Sequence, residues 1–575
     1  MNSELLLKHF DRISDAPDAV PRLRQFILDL AVRGKLVEQD PLDEPASILL
    51  KRTEAEKMRL IEKGTIRNPR VSNAGHKEGE LFSIPAPWVW CRLSEIGAIV
   101  GGGTPPSGDA ANFTEAGTGI AWLTPSDLGK RTELHVSHGA RDLTSQGLQS
   151  SSATLMPKGS ILFTSRAPIG YIAIAANEVS TNQGFKSVVP YILECNRYIA
   201  IYFSAFARWI DGKASGTTFR EVSGKIVGNL PFPLPPLGEQ HRIVTKVDEL
   251  ITFCDQLEAA QAERETRRDT LVAASLHHLN NGAHAEAFGE HSRFFINHLP
   301  LVTARLEHIK QLRQTILNLA VRGMLVSQDP SDEPASELVK RIQHELNLDR
   351  KRETGAGLPD RLTSAEQLPT SWRLVRIGVI AKSIVPQRDK PLTFTGGLPW
   401  VTLPNFRDEK LVLQFDEGRV GLSLAEVERY RLRVVPAGSV LMSCVGRFGL
   451  TALTSEDCIP NQQIHAFCFP KALLDGKYLC YTIMARRGYL ESQATATTIS
   501  YLNKSRCESI PVALPPLGEQ RRIVAKVDDL MALCDRLEEQ VTISQTVSRR
   551  LLEAILNQAL NDNQALEDKL KASIG

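Results

Sequence analysis

The chain is 575 residues long, with 42% hydrophobic and 23% charged residues. That is the composition of an ordinary soluble protein, and the length asks for about three to five domains. A formal net charge of +2 gives no overall pull toward nucleic acid, and every apolar run is broken by charge well before about twenty residues, which excludes a membrane-spanning helix. Glu4, Asp11 and Asp15 interrupt any basic-then-apolar leader pattern. The nine cysteines are scattered and never spaced as CxxC. Reduced thiols in a cytoplasm are therefore expected, with neither a disulfide framework nor a zinc site.

Along the chain, a helical region is predicted over 1–63. Leu23, Phe26, Ile27 and Leu30 form its apolar stripe, Gly34 can end that helix, and Asp43-Glu44-Pro45 restarts a short basic one. A linker from Gly64 to Glu80 leads into a mixed domain over 81–236, with β-like runs such as Ser160–Thr164 between Gly, Pro and Asn. The tandem prolines Pro235-Pro236 then fix an extended approach to a helix over 237–280, with Glu239 in its favourable first turn. Ile243, Val247, Leu250, Cys254 and Leu257 alternate steps of four and three, the spacing of a coiled-coil seam. The stretch NNGAHAEAFGEHS from Asn280 reads as a loop.

The same parts then recur. A helical region over 298–353 carries Leu312, Ile316 and Leu319, followed by Gly323 and Asp332-Glu333-Pro334. After the linker Thr354 to Glu366, a second mixed domain is predicted over 367–516, with the β-like run Ser439–Ser443. A helix over 517–562 follows, with seam residues Ile523, Val527, Leu530, Cys534, Leu537 and Val541 and an end near Asn561. Leu234–Leu250 and Leu514–Leu530 are identical at 14 of 17 positions, and Ile27–Ser47 and Ile316–Ser336 at 17 of 21. The chain is one module written twice. The mixed domains share only a skeleton: Trp88/Trp372, Trp122/Trp400, Asn182-Gln183/Asn461-Gln462 and Thr217-Thr218/Thr497-Thr498. The expected fold is α+β, with two similar mixed domains separated by long helices that pair as an antiparallel coiled-coil spacer about an internal pseudo-twofold. About forty helical residues make a rod of roughly 60 Å.

Two diverged globular domains, each followed by PPLGEQ, RIV and KVD and then a long helix, resemble the DNA-specificity subunit of type I restriction-modification systems. The AVRGKLVEQDPLDEPAS block is similar to one branch of that family, and the resemblance covers essentially the whole chain. It implies that each mixed domain is a target recognition domain reading one half of a split, asymmetric site on double-stranded DNA. It also implies that the helices space these domains and dock two methyltransferase subunits, with motor-nuclease subunits completing a complex for adenine N6 methylation or restriction. The chain itself is then no enzyme. S-adenosylmethionine, ATP and Mg are expected on the partners, and no metal on this chain.

The motifs agree with a chain that lacks an active centre. Pro-Pro pairs occur only in Thr104-Pro-Pro-Ser107 and the two Leu-Pro-Pro-Leu turns, so the Asn/Asp-Pro-Pro-Tyr/Phe turn of an adenine methyltransferase is missing. No GxxxxGK(S/T) loop is present, and His344-Glu345 lacks the second histidine of HExxH. Gly101-Gly-Gly103 is followed by Thr104-Pro-Pro106 rather than a helix, which favours a turn or DNA-backbone role over a nucleotide site. From Glu366 to Pro515 there are 18 Lys/Arg against 13 Asp/Glu, and from Leu81 to Leu237 12 against 10, a modest basic excess that permits a DNA-facing surface.

Duplication itself selects candidate readers. Residues identical in both domains, such as Trp122/Trp400, Thr124/Thr402 and Asn182-Gln183/Asn461-Gln462, are scaffold, shared backbone contacts or contacts to a shared target adenine. Residues that differ beside shared anchors are candidates for reading different half-sites. These are Arg166 against Arg447 in a shifted position, Lys186 against His465, and Phe219 and Arg220 after Thr217-Thr218 against Ile499, Ser500 and Tyr501 after Thr497-Thr498, with Lys504 a further DNA-binding candidate. Arginine takes guanine bidentately, while lysine and threonine more often hold phosphates. Other readings are the recognition subunit of a motor-less methyltransferase-nuclease and a coiled-coil structural adaptor. An adaptor gives no reason for two diverged domains between preserved helices.

Overall fold

The computed structural model describes residues 16, 18–64, 81–129, 133–216, 220–281, 285–347, 368–385, 390–406, 411–413, 415, 420–494 and 500–574. The chain divides into two units, Met1–Glu263 with Gln545–Gly575, and Arg264–Ser544.

In the first unit α1 (Ala19–Val32) and α2 (Ala46–Glu62) form the helical block. Gly34 takes φ 67, and Lys35 N–H donates to the Leu30 carbonyl at 2.9 Å. This is a left-handed helix stop that glycine adopts without a Cβ penalty. β1 (Val89–Arg92) pairs antiparallel with β11 (Pro231–Leu234), so both ends of the mixed domain leave as one ribbon. Between them, β2 (Gly97–Gly101), β5 (His135–Val136), β7 (Ile161–Ser165), β8 (Ile169–Ala175) and β10 (Lys186–Pro190) form a sheet in the order β2-β10-β7-β8-β5. A second sheet, β3-β6-β4-β9, is built from β3 (Phe113–Glu115), β4 (Ile120–Leu123), β6 (Arg141–Leu143) and β9 (Ser180–Thr181).

β7 is buried along its whole length because both of its faces are covered. Ile161 and Phe163 join a core with Tyr198, Tyr202 and Phe203 of α3 (Asn196–Gly212). Leu162 faces the other way, into a smaller core with Leu123, Val179 and Phe185. Covering on both sides explains the unbroken apolar run seen in the sequence. The ribbon hands over directly to α4 (Leu237–Asn281).

The second unit repeats this plan. Its helical block comprises α5 (Ala285–Asn297), α6 (Leu306–Ala320) and α7 (Ala335–Glu345). β12 (Arg373–Arg376) pairs with β20 (Pro511–Leu514). β13 (Lys382–Ile384), β16 (Val440–Ser443), β17 (Thr451–Leu453) and β19 (Ile464–Cys468) form a sheet ordered β13-β19-β16-β17. β14 (Leu398–Val401), β15 (Gly421–Leu422) and β18 (Ile459–Pro460) form another, ordered β15-β14-β18. α8 (Gly476–Ala485) covers the core, and α9 (Leu517–Ile574) follows the ribbon.

Three expectations are corrected. The segment read as a loop after Asn280 contains α5, because Phe288 and Phe295 pack against Val272, Leu276 and Leu279 of α4. The last helix runs to Ile574, beyond the expected end near Asn561. The seam residues do not wait for a coiled-coil partner. Ile243, Val247 and Cys254 are buried in the core that contains Val20 and Ile27 of α1, with Leu250 and Leu257 packed against it. Ile523, Val527 and Cys534 are likewise buried with Ile309 and Ile316 of α6, with Leu530 and Leu537 against them. The stripes on α1 and α6 already match these seams, and Arg24 fixes the register by donating to Asp255 and Glu258 at 2.5 and 2.7 Å. Arg313 repeats this with Asp535 and Glu538 at 2.7 and 2.9 Å.

The repeated sequence blocks converge on one joint. The Glu239 carboxylate, 1% exposed, accepts from Trp88 Nε1 at 2.8 Å and from Gln39 Nε2 at 2.6 Å. Arg242 beside it pairs with Asp43 at 2.6 Å. In the second unit Glu519 accepts from Trp372 Nε1 at 2.9 Å and Gln328 Nε2 at 2.6 Å, and Arg522 pairs with Asp332 at 2.8 Å. A Cβ on Gly238 or Gly518 would collide with Asp43 or Asp332. The helical block, the tryptophan and the PPLGEQ helix are thereby locked together at each repeat.

Burial pushes the carboxyls of Glu239 and Glu519 above the ordinary 4.5, against the indole and amide donors that pull them down. A folded value above the unfolded one means stability that is full below pH 4.5 and is lost as pH rises through the folded value. Glu239→Gln should therefore flatten the stability profile from pH 4.5 upward. Glu239→Ala strands the indole N–H and the Gln39 amide and should cost the first unit roughly 2–4 kcal/mol. Hydrogen exchange should show the loss around Trp88, with protection around Trp372 unchanged. Equal loss at both tryptophans would contradict the local account.

Candidate nucleic-acid interface

The shared Trp and Asn-Gln motifs are adjacent in space. β4 and β9 run parallel, with Trp122 opposite Ser180 and Leu123 opposite Thr181. β14 and β18 repeat this, with Trp400 opposite Ile459 and Val401 opposite Pro460. Asn182 N–H donates to the Leu123 carbonyl and Asn461 N–H to that of Val401, both at 2.9 Å. Each asparagine then folds the chain into a tight turn. Its Oδ1 accepts from the backbone two residues on, Gly184 at 2.9 Å or Gln463 at 3.0 Å. Asn182 and Asn461 are thus turn-formers, and Gln183 and Gln462 stand exposed beside them. The Thr104 hydroxyl, from the glycine-rich loop, donates to Gln183 Oε1. Thr124 and Thr402 cap the short helices Pro125–Leu128 and Leu403–Asn405, their N–H groups held by Asp127 and Asn405 at 2.7 and 2.8 Å.

The three diverged segments meet at this turn. Ser165 N–H donates to the Gly184 carbonyl at 2.8 Å, and Val222 N–H to that of Ser165 at 3.0 Å. In the second unit Cys444 N–H donates to Gln463 and Leu502 N–H to Cys444, both at 2.9 Å. Arg166 and Arg447, the segment up to Lys186 or His465, and the segment ending at Arg220 or Tyr501 therefore share one end of each mixed domain. Thr217, Thr218, Phe219, Thr497, Thr498 and Ile499 lie outside the described residues.

The cations at this end are lightly held. Lys186 pairs with Glu221 at 2.9 Å, Arg220 donates to the Asp211 carbonyl at 2.6 Å, and Lys504 lies 3.6 Å from Glu508. The exposed Lys504 pair contributes little, so a phosphate can replace its carboxylate. Arg447 and Tyr501 are exposed, and Arg166 is half-buried.

Two candidates are corrected by burial. Trp122 is 3% exposed, and its indole N–H donates to the Gly103 carbonyl at 3.1 Å. It therefore serves as support, while Trp400 is only half-buried. His465 is 2% exposed and shares a hydrogen with the Ser383 hydroxyl. Burial, aided by the Lys504 charge, holds its imidazole down at about 4. It is neutral at physiological pH and offers no charge to a phosphate.

Sequence reasoning missed Phe113 and Phe394. Phe113 packs on Trp122 with centroids 5.7 Å apart, and Phe394 on Trp400 at 5.8 Å. Each aromatic precedes its tryptophan, but by nine residues in one domain and six in the other, and the unequal spacing hides the equivalence. Among the described residues, no group of His, Cys, Asp and Glu is placed to hold a metal ion, and no helix is long and apolar enough to cross a membrane.

Comparison with known proteins places this geometry. The type I restriction modification DNA specificity domain matches twice, over residues 85–265 and 369–547, each match running from before the ribbon into the long helix. The EcoEI specificity subunit of Escherichia coli is 29% identical over 94% of both chains, and the EcoAI specificity subunit of the same organism 26% identical over 94% of both. Among solved structures, the HsdS subunit of Thermoanaerobacter tengcongensis aligns with 83% of this chain and 98% of its own, at 20% identity and a TM-score of 0.41. The chain belongs to the family of type I restriction-modification DNA-specificity subunits.

Proposed function

We propose that each mixed domain reads one half of a bipartite, asymmetric site on double-stranded DNA, and that the repeated helical blocks hold two copies of one methyltransferase subunit. Specificity subunits of this family are non-catalytic and work with methyltransferase and restriction subunits on DNA. The observation that carries the finer reading is the convergence at Gln183 and Gln462: the three diverged segments beside the shared anchors meet at one end of their domain, while the joint at Glu239 and Glu519 is the same in both. An adaptor would not need that division. Adenine N6 methylation, with S-adenosylmethionine, ATP and Mg carried by the partner subunits in a cytoplasm, fits a chain without those motifs.

Three outcomes are expected. Calorimetry of the chain alone should detect no S-adenosylmethionine binding; micromolar binding at about one site per chain would overturn the recognition-only role. Exchange of residues 81–234 for the first domain of another specificity subunit should alter one half of the methylated site and spare the other, because the segment carries both ribbon strands and Trp88 as one unit, while Gln39 and Glu239 stay in place. A swap that scrambles both halves would show that the domains do not read independently. In native mass spectrometry one chain should hold two methyltransferase subunits; a fully active one-to-one complex would contradict the repeated docking surface.

A further inference from the structure

Phe113 and Trp122 meet with ring planes tilted by 56°, and Phe394 and Trp400 by 57°, at nearly equal separations. The two domains thus contain the same aromatic pair, with its tryptophan buried in the first and half-buried in the second. The residue opposite each tryptophan differs. In the first unit β6 places Arg141 across from Trp122. The Arg141 guanidinium lies 3.6 Å from the Phe113 ring centroid and 5.5 Å from that of Trp122. In the second unit Trp400 N–H donates to the Val420 carbonyl at 2.9 Å. The equivalent place therefore belongs to Val420, which is 53% exposed.

Stacking on an aromatic face fixes the plane of a guanidinium and leaves its N–H edges free. Arg141 is exposed and forms no ion pair among the described residues. It is also tied to the reading end. Trp122 Nε1 donates to the Gly103 carbonyl, and the next residue, Thr104, bonds Gln183. A planar, oriented, uncommitted guanidinium matches the two acceptors on the major-groove edge of guanine.

We propose that Arg141 is a specificity-determining residue of the first domain, reading a guanine in its half-site, and that the second domain reads without this contact because Val420 fills the slot. This rests on the reading that each domain recognises one half-site.

The test uses the full chain with its methyltransferase partner. The methylated site is first determined by sequencing N6-methyladenine in host DNA. Binding is then titrated on duplexes substituted at each base pair, for the wild type, R141V, R141K and V420R. R141V should lose discrimination at one G·C pair of the first half-site, by between about 5-fold and 150-fold, with the second half-site read as before. That unchanged half also shows that the variant is folded and assembled. R141K should lose the same discrimination, since an ammonium cannot make the forked contact. V420R should change preference at one position of the second half-site only, and it carries the test if R141V fails to assemble. The proposal is overturned if R141V weakens all duplexes equally while R141K restores them, which is the signature of a phosphate contact, or if R141V discriminates as the wild type does. Failure of the underlying reading looks different: the wild type itself would give no bipartite methylated site.

Discussion

A carboxylate without access to water has to be satisfied on both oxygens, and that requirement organises each half of this chain. Glu239 draws an indole from the mixed domain and an amide from the helical block onto one helix start. Glu519 does the same. An apolar contact could hold the same three parts, but it would tolerate sliding. A carboxylate between two directional donors does not, and a misaligned partner leaves a buried charge exposed to its full desolvation cost. The ion pairs of Arg242 with Asp43 and Arg522 with Asp332 flank the carboxylate, each joining a part-exposed arginine to a largely buried aspartate, and add register.

This arrangement separates what is fixed from what varies. The ribbons β1–β11 and β12–β20 carry each mixed domain as a two-stranded stem. The Asn182 and Asn461 turns give both repeats the same backbone frame. The frame is scaffold in both cases, and the side chains around it differ: Lys186 in one domain stands where the other buries His465, and Arg141 lies across from Trp122 where Val420 meets Trp400. A domain built this way can change what it reads without disturbing the joint.

Much of this was legible in the sequence. The repeat, the two mixed domains, the helix after each PPLGEQ and the Asn-Gln anchors follow from spacing alone. Helix neighbours are harder. The stripe on Ile243, Val247 and Cys254 shows that one face is buried, but periodicity cannot say against what, and α1 turned out to be the partner. The same limit hid the role of Glu239, which reads as a first-turn acid until Trp88 is placed beside it. Burial misled in the other direction at His465 and Trp122, since aromatic and imidazole side chains look alike in sequence whether they support or contact. Arg141 was invisible because its meaning lies in a cross-strand pairing.

The central claim is that DNA meets the Asn-Gln turn of each domain and not the joint. Photocrosslinking from p-benzoylphenylalanine at position 183, 462 or 42 tests it most directly, in the full chain with its methyltransferase on a duplex bearing the cognate site. Leu42 is 93% exposed on the helical block near the joint and serves as the reference position. Crosslinks from positions 183 and 462 should map to opposite half-sites, with none from position 42. Crosslinks concentrated at position 42, or both turns mapping to the same half-site, would contradict the account.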